Sequence, residues 1–123
     1  MSYGQTQLKA MIRQDLEQMN GRRETVKAGF LEKHRIKKIS PSELHVNPED
    51  EFTFPNIGPN EAIVANYSQL ARRQDSLGMP VFEEPVEVNK LRQGGYLILN
   101  GHHRWAGAVM ARVPTIRIHV LDL

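Results

Sequence analysis

The residues of this sequence that are best suited to chemistry stand together where an apolar run ends in Asn100-Gly101 and a helix begins. The first N–H groups of such a helix have no intrahelical partner, and the helix dipole places partial positive charge beside them. A helix start of this kind is a ready anion site. His102, His103 and Arg104 fill its first turn, where cations are normally unfavourable. We therefore predict that a phosphate or sulfate group binds there.

The types of these side chains narrow the chemistry further. Arg104 can grip two phosphate oxygens at once, because a guanidinium is a planar fork of donors. His102 and His103 are adjacent on a helix and point in different directions, so they are a poor pair for one metal ion. We predict an anion site without a transition metal, with contacts from Asn100, Gly101, His102, His103 and Arg104. A purely structural helix cap is the alternative.

The elements around this segment must hold it in place. Residues 96–99 predict a buried strand. The helix predicted over 102–111 is rich in small residues, and Gly107 costs about 1 kcal/mol relative to Ala, which indicates close packing against the sheet. Residues 115–121 alternate apolar and polar, as a half-buried strand does. We expect the strand over 96–99 to be central and to build the core with the following helix: Ile98, or Leu97 and Leu99, with Trp105 and Val109.

The N-terminal part of the chain predicts a helical arm over residues 5–33, with a helix C-cap and turn at Asn20-Gly21 and a second, shorter helical stretch after it. An apolar stripe at helical spacing indicates that the arm packs on its own domain or on a second copy, which would make a homodimer: Leu8, Met11, Ile12, Leu16 and Met19. We place the arm at 1–33 and the sheet-containing domain at 34–123. Binding of nucleic acid by the charged side of the arm is an alternative interpretation.

The remaining segments complete an α+β domain with a small mixed sheet and packed helices. Asn60 is predicted to cap a helix over 61–74. Short strands are predicted over 35–39 and 81–88. The long irregular stretch over 46–59 is of the kind that is often functional or mobile.

Composition excludes several classes of protein. The chain of 123 residues fits one domain. It contains no Cys, which excludes a disulfide scaffold, a thiolate zinc site and a cysteine nucleophile. No apolar run approaches the roughly 18–20 residues of a membrane span, and we expect a cytoplasmic protein. The net charge of +2 is too small to indicate nucleic-acid binding by itself.

Over residues 35–121 the sequence resembles the ParB/sulfiredoxin-like superfamily. The resemblance rests on a strand that ends in Ile39-Ser40-Pro41, on Asn47-Pro48, on a segment 84–88 around Pro85, and on the strand–Gly-x-[His/Arg]-Arg–helix box at 96–108. It implies that residues 101–104 cradle nucleotide phosphates. It also implies a nucleoside triphosphate, CTP or ATP, as the ligand, with Mg²⁺. Glu84 would lie near the same cleft.

The resemblance leaves several functions open. The chain has His102 where sulfiredoxins have Cys, so sulfiredoxin activity is excluded. The leading hypothesis is a nucleotide-binding switch or slow phosphohydrolase, with Glu84 and His103 as catalytic residues. A small-molecule kinase of the free-serine-kinase type is the first alternative, and its base would be Glu84, Glu83 or Glu43. No cluster of Asp and Glu has the spacing of a two-metal nuclease.

A DNA-associated partition or ParB-like nuclease module is the second alternative. It would use basic residues near the first strand and on the predicted helix over 61–74: His34, Arg35, Lys37, Lys38, Arg72 and Arg73. The chain stops directly after its last predicted strand, so we expect no helix-turn-helix unless the chain is a fragment.

Overall fold

A computed structural model describes residues 5–121, with side chains described from residue 7 onward. The predicted α+β architecture is confirmed: three helices pack around a mixed sheet of five strands. Two short 3₁₀ helices, Pro41–Glu43 and Glu51–Thr53, interrupt the connections. The main elements are α1 Gln5–Met19, β1 Ile36–Ile39, β2 Leu44–His45, α2 Glu61–Ser76, β3 Val86–Lys90, β4 Tyr96–Asn100, α3 His102–Ala111 and β5 Ile116–Val120.

The sheet has the strand order β1-β5-β3-β4-β2. Strand β1 is antiparallel to β5, β5 is parallel to β3, β3 is antiparallel to β4, and β4 is parallel to β2. Strand β4 has a neighbour on each side, which confirms that the strand over 96–99 lies inside the sheet, although the middle position belongs to β3. The outer neighbour of β4 is the two-residue strand β2, which pairs Leu44 with Tyr96 and His45 with Leu97 and keeps β4 from the edge of the sheet.

The two faces of β4 pack in different clusters. Tyr96 and Ile98 are buried in the main core together with Trp105, which confirms the Ile98 form of the core prediction. Leu97 points the other way and forms a small second cluster with Met19 and Leu91. This alternation follows from the two-residue period of a strand.

Helices α3 and α2 pack so closely at Gly107 that their backbones nearly touch. A Cβ atom added to Gly107 would lie 2.6 Å from Cβ of Tyr67 and 2.8 Å from the backbone nitrogen of Ser68. The glycine is therefore required by the neighbouring helix, whereas we had expected close packing against the sheet. Ser68 is itself buried, so a larger residue at 107 has nowhere to go.

The N-terminal helix ends at the predicted turn, but the helical stretch predicted after that turn is not helical. Helix α1 ends at Met19, and the next two residues, Asn20 and Gly21, have φ of 48° and 75°. Beyond them the backbone runs beside β3: the N–H of Val26 donates to the carbonyl of Lys90. Pairing with the sheet thus replaces the helix that we predicted over 22–33.

The apolar stripe of α1 lies against its own domain. Leu8 and Ile12 are buried in the main core, and Met19 is buried in the second cluster. The stripe that a dimer would use is covered by the chain itself. Within residues 5–121, none of the helices is both long enough and apolar enough to cross a membrane.

Candidate functional site

The predicted anion-binding residues line one cleft of about 420 Å³. The structure brings together the five residues of the box and Glu84, and it adds three residues that sequence reasoning missed: Asp50, Ile63 and Tyr67. Asp50 comes from the long loop over 46–59, and the other two come from α2. That loop was expected to be functional, but nothing in the sequence indicated which of its residues would reach the cleft.

Gly101 opens helix α3 in a conformation that favours glycine. Its φ is 111°, and no side-chain hydrogen bond caps the helix. The first intrahelical bond is donated by the N–H of Trp105 to the carbonyl of Gly101 at 2.9 Å. The N–H groups of the three preceding residues thus have no partner within the helix. These donors supply the positive end of the helix dipole at the cleft.

His102 is a buried hydrogen-bond acceptor. Its Nε2 accepts from the backbone N–H of Asn47 at 3.0 Å, and its Nδ1 lies 3.6 Å from Oδ2 of Asp50. Burial lowers the pKa of His102 to about 4, although the carboxylate of Asp50 acts in the opposite direction. The ring is therefore neutral at pH 7, with its proton on Nδ1.

His103 holds the other end of the same loop. Its Nε2 accepts from the backbone N–H of Asn60 at 3.0 Å, and burial lowers its pKa. Asn60 in turn caps α2, since its side-chain oxygen accepts from the N–H of Ile63, as predicted. Two adjacent side chains thus diverge to opposite ends of the loop, and neither ring acts as a cation. This arrangement removes the conflict with the helix dipole.

Phe52 fills the space between the two imidazoles and the core. Its ring centroid lies 5.1 Å from the ring of His102 and 5.1 Å from that of His103. It also meets Trp105 edge-on at 6.5 Å and is 2% exposed. The loop over 46–59 is therefore anchored onto the first turn of α3 by one aromatic side chain and two hydrogen bonds.

Arg104 is the cation of the cleft. Its Nη1 donates to the carbonyl of Glu84 at 3.0 Å and contacts Oε2 of Glu84 at 3.4 Å. The guanidinium packs over Gly101, because a Cβ atom at that position would lie 2.8 Å from Nη2. The carboxylate of Glu84 is 91% exposed. Arg104 is thus positioned mainly by a backbone carbonyl, and its contact with the exposed carboxylate is longer.

The other predicted residues are distributed around the cleft or away from it. The side chain of Asn100 donates to Oε1 of Glu87 at the rim. Glu83 lines a neighbouring cavity that also reaches Glu84 and Arg104. Glu43 belongs to the 3₁₀ helix Pro41–Glu43 and does not line the cleft.

Two further observations concern the alternatives of a metal site and a DNA-binding module. Among the residues that the structure describes, no group of three His, Asp or Glu side chains could hold a metal ion. Lys37, one of the basic residues considered for DNA, is paired with Glu32 and Tyr96.

Solved structures share this fold. The C-terminally truncated chromosome-partitioning protein ParB from Caulobacter crescentus, complexed with CTP-gamma-S, is 23% identical over 72% of this chain, with a TM-score of 0.57. The same protein complexed to the centromeric parS site is 25% identical over 71%, with a TM-score of 0.54. Sulfiredoxin from Arabidopsis thaliana is 17% identical over 72%, with a TM-score of 0.50.

The extent of these matches differs between the two proteins. This chain covers 45% and 40% of the two ParB chains and 86% of the sulfiredoxin chain. No family model matches the sequence, and no curated protein sequence matches it. The fold is that of the ParB/sulfiredoxin-like superfamily, as the sequence predicted.

Proposed function

We propose that this chain binds a nucleoside triphosphate, with its phosphates at the N-terminus of α3. The observation that carries the proposal is the uncapped helix start at Gly101, which faces a polar cleft beside the Arg104 guanidinium. The ParB structure with CTP-gamma-S supports a nucleotide as the ligand of this fold. CTP and ATP are the nucleotides to test first.

Each residue of the box has a distinct part in this proposal. The N–H groups of the first turn donate to phosphate oxygens, and the helix dipole adds to their attraction. Arg104 turns from the carboxylate of Glu84 to the phosphates, because the phosphates carry more negative charge. Gly101 leaves the space that the guanidinium occupies. The carboxylates of Asp50 and Glu84 line the cleft and would hold Mg²⁺ together with the phosphates, where the ion would neutralise phosphate charge.

The two histidines serve the switch function that we assign to the cleft. Because His102 and His103 bind Asn47 and Asn60, they fix the loop that carries Asp50 to the helix that binds phosphate. A ligand that moves the first turn of α3 therefore moves both ends of the loop. In this proposal His103 positions the loop by Nε2, and its Nδ1 is the atom left for proton transfer.

Calorimetric titration tests the proposal directly. CTP, ATP, GTP and ADP are titrated with and without Mg²⁺, and amide shifts in ¹⁵N spectra locate the bound nucleotide. We expect one of the triphosphates to bind more tightly than ADP and to shift the amides of residues 101–104. Absence of binding by all four nucleotides, or shifts confined to another surface, contradicts the proposal.

A phosphotransferase is the second function that an observation favours. The carboxylate of Glu84 is exposed in the cleft and lies beside Arg104, where it could take a proton from a hydroxyl acceptor. Phosphorus NMR of the wild-type protein with the bound triphosphate distinguishes phosphoryl transfer to an acceptor from hydrolysis. Product that appears only with a small hydroxyl compound, and is lost in Glu84→Gln, indicates a kinase. Inorganic phosphate without an acceptor indicates a hydrolase.

A further inference from the structure

Strand β1 forms one edge of the sheet. Among residues 5–121 its only neighbour is β5, which runs antiparallel to it and pairs Ile36 with His119 and Lys38 with Arg117. On its other side, β1 has no strand beside it in this part of the chain. An open edge of this kind presents a row of backbone N–H and C=O groups to which another extended segment can bond.

The hydrogen bonds to β5 identify the residues of β1 whose backbone faces outwards. In an antiparallel pair, successive residues direct their backbone groups alternately towards the partner strand and away from it. The N–H of Val120 donates to the carbonyl of Arg35 at 3.0 Å, so the carbonyl of Arg35 faces β5. The N–H of Arg117, opposite Lys38, donates to a carbonyl outside β1. The backbone groups of Ile36 and Lys38 therefore point to the open side.

Exposed apolar side chains lie next to this open edge. Phe30 is 87% exposed, Leu31 is 79% exposed and Ile36 is 47% exposed. Leu31 and Ile36 line one cavity of about 450 Å³, together with Arg35 and Lys37. The cavity thus extends from the turn before β1 onto the strand itself. Apolar side chains grouped in this way beside unpaired backbone groups indicate a contact surface.

The charge of this edge indicates the kind of partner. Arg35 and Lys38 are exposed, and neither forms an ion pair within the part of the chain that the structure describes. Glu32 does not neutralise them, because its carboxylate binds Lys37 and Lys90 at 3.1 Å each. A second copy paired through β1 would bring lysines of the two strands together, which is unfavourable. The edge therefore favours an acidic partner.

We propose that β1 binds an extended acidic segment of another protein, which adds to the sheet as a further strand. The backbone of the segment bonds to the outward groups of Ile36 and Lys38. Its carboxylates pair with Arg35 and Lys38, and its apolar side chains pack on Leu31 and Ile36. None of these residues lines the cleft at the start of α3, so this surface is separate from the proposed nucleotide site.

Peptide titration of the full chain tests the surface. The probe is a short capped peptide that alternates glutamate and valine. A basic peptide, with lysine in place of glutamate, tests the charge. An acidic peptide that is N-methylated at two consecutive central residues tests the backbone contact, since each of its edges lacks a donor. We expect the unmodified acidic peptide to give saturating amide shifts in ¹⁵N spectra over residues 36–39, and the other two to bind at least roughly tenfold more weakly.

Substitutions of Lys38 separate its charge from its backbone. Lys38→Ala removes the charge and should weaken binding of the acidic peptide by roughly two- to fivefold. Lys38→Pro also removes the outward N–H and should weaken binding by at least roughly tenfold. Because that N–H does not face β5, proline should leave the sheet folded. Arg13→Ala, which removes an exposed cation from α1, is the matched control and should leave affinity nearly unchanged.

Several results would overturn the assignment. Absence of shifts over residues 36–39 with the acidic peptide at millimolar concentration shows that the edge is not a peptide site. Equal binding of the basic or the N-methylated peptide shows contact without the proposed recognition. If the same amides shift only with a short DNA duplex, or only as the protein concentration rises, the edge belongs to nucleic acid or to a second copy. None of these results bears on the nucleotide proposal, since no nucleotide is present.

Discussion

The backbone N–H of Asn47 donates to Nε2 of His102 at 3.0 Å, across 55 positions of sequence. This bond ties the start of the long loop to the first turn of α3. It also requires an imidazole that has no proton on Nε2. The pKa of His102, which burial lowers, agrees with this neutral form of the ring. The histidine at this position is a structural acceptor in a place where a cation would have repelled the helix dipole.

The pH dependence of stability should report this histidine. The pKa of His102 is lowered from 6.5 to about 4 in the folded chain, mainly by burial. The unfolded chain therefore binds a proton between pH 6.5 and 4 that the folded chain does not. The stabilisation is complete above pH 6.5 and is lost as the pH falls towards 4. Urea unfolding should show the wild type about 2–3 kcal/mol less stable at pH 4.5 than at pH 8 from this group.

The substitution His102→Gln is the control for the pH experiment. Glutamine keeps an acceptor for Asn47 but does not titrate in this range. The variant should be less stable than wild type at pH 8 and should lose the part of the pH dependence that His102 contributes, while His103, whose pKa burial also lowers, keeps its own part. An unchanged pH profile would falsify the assignment to His102.

Phe52 should be the main hydrophobic anchor of the loop over 46–59. Because it is buried between both histidine rings and Trp105, Phe52→Ala should lower the free energy of unfolding by about 3–4 kcal/mol. Phe54→Ala is the matched control, since Phe54 is 37% exposed, and should cost much less. Chemical denaturation measures both. Similar losses in the two variants would show that the loop is held by other contacts.

Gly107 should tolerate no side chain. A Cβ atom there meets the backbone of α2 at 2.8 Å, so Gly107→Ala should destabilise the chain by about 2–3 kcal/mol despite the better helix propensity of alanine. Gly29→Ala is the control, because nothing lies within 4 Å of its added Cβ atom. Thermal unfolding of the two variants compares them. If Gly107→Ala is as stable as wild type, the helices do not touch as described.

Arg104→Ala should weaken nucleotide binding by roughly ten- to a hundredfold, because one or two charge-assisted hydrogen bonds are lost. Arg112→Ala removes the same charge from the exposed C-terminal end of α3 and should leave affinity nearly unchanged. Calorimetry at fixed salt gives both dissociation constants. Equal losses of affinity in the two variants would mean that only the net charge of the chain matters, and would contradict the proposed contact of Arg104 with phosphate.

The local signals in the sequence were sufficient for the elements that carry the box. Helix α3 runs over His102–Ala111 as predicted, and Asn60 caps α2 as predicted. Both depend on neighbours within a few residues: a glycine at a left-handed position and a side chain that caps its own helix. The alternation of apolar and polar residues over Ile116–Val120 also predicted strand β5 correctly, because one face of that strand is buried.

What the sequence could not provide depends on contacts between distant segments. Strand β2 has two residues and exists because they pair with Tyr96 and Leu97. The stretch after α1 has helical spacing, yet Thr25 bridges to Leu91 and holds it extended. The neutral state of His102 follows from burial beneath a loop 50 residues away in sequence, and no local pattern reports that burial.

The contact of Gly107 with Tyr67 and Ser68 makes one wall of the cleft rigid. Helices α2 and α3 touch through backbone atoms, so neither can slide past the other to suit a ligand. Ile63 and Tyr67 on one helix and the box on the other are therefore fixed in spacing. We therefore expect any adjustment of the cleft to the size of a ligand to occur in the segments that carry Asp50 and Glu84. In the proposed nucleotide site, exchange of those two segments should therefore alter selectivity while the helix pair is left untouched.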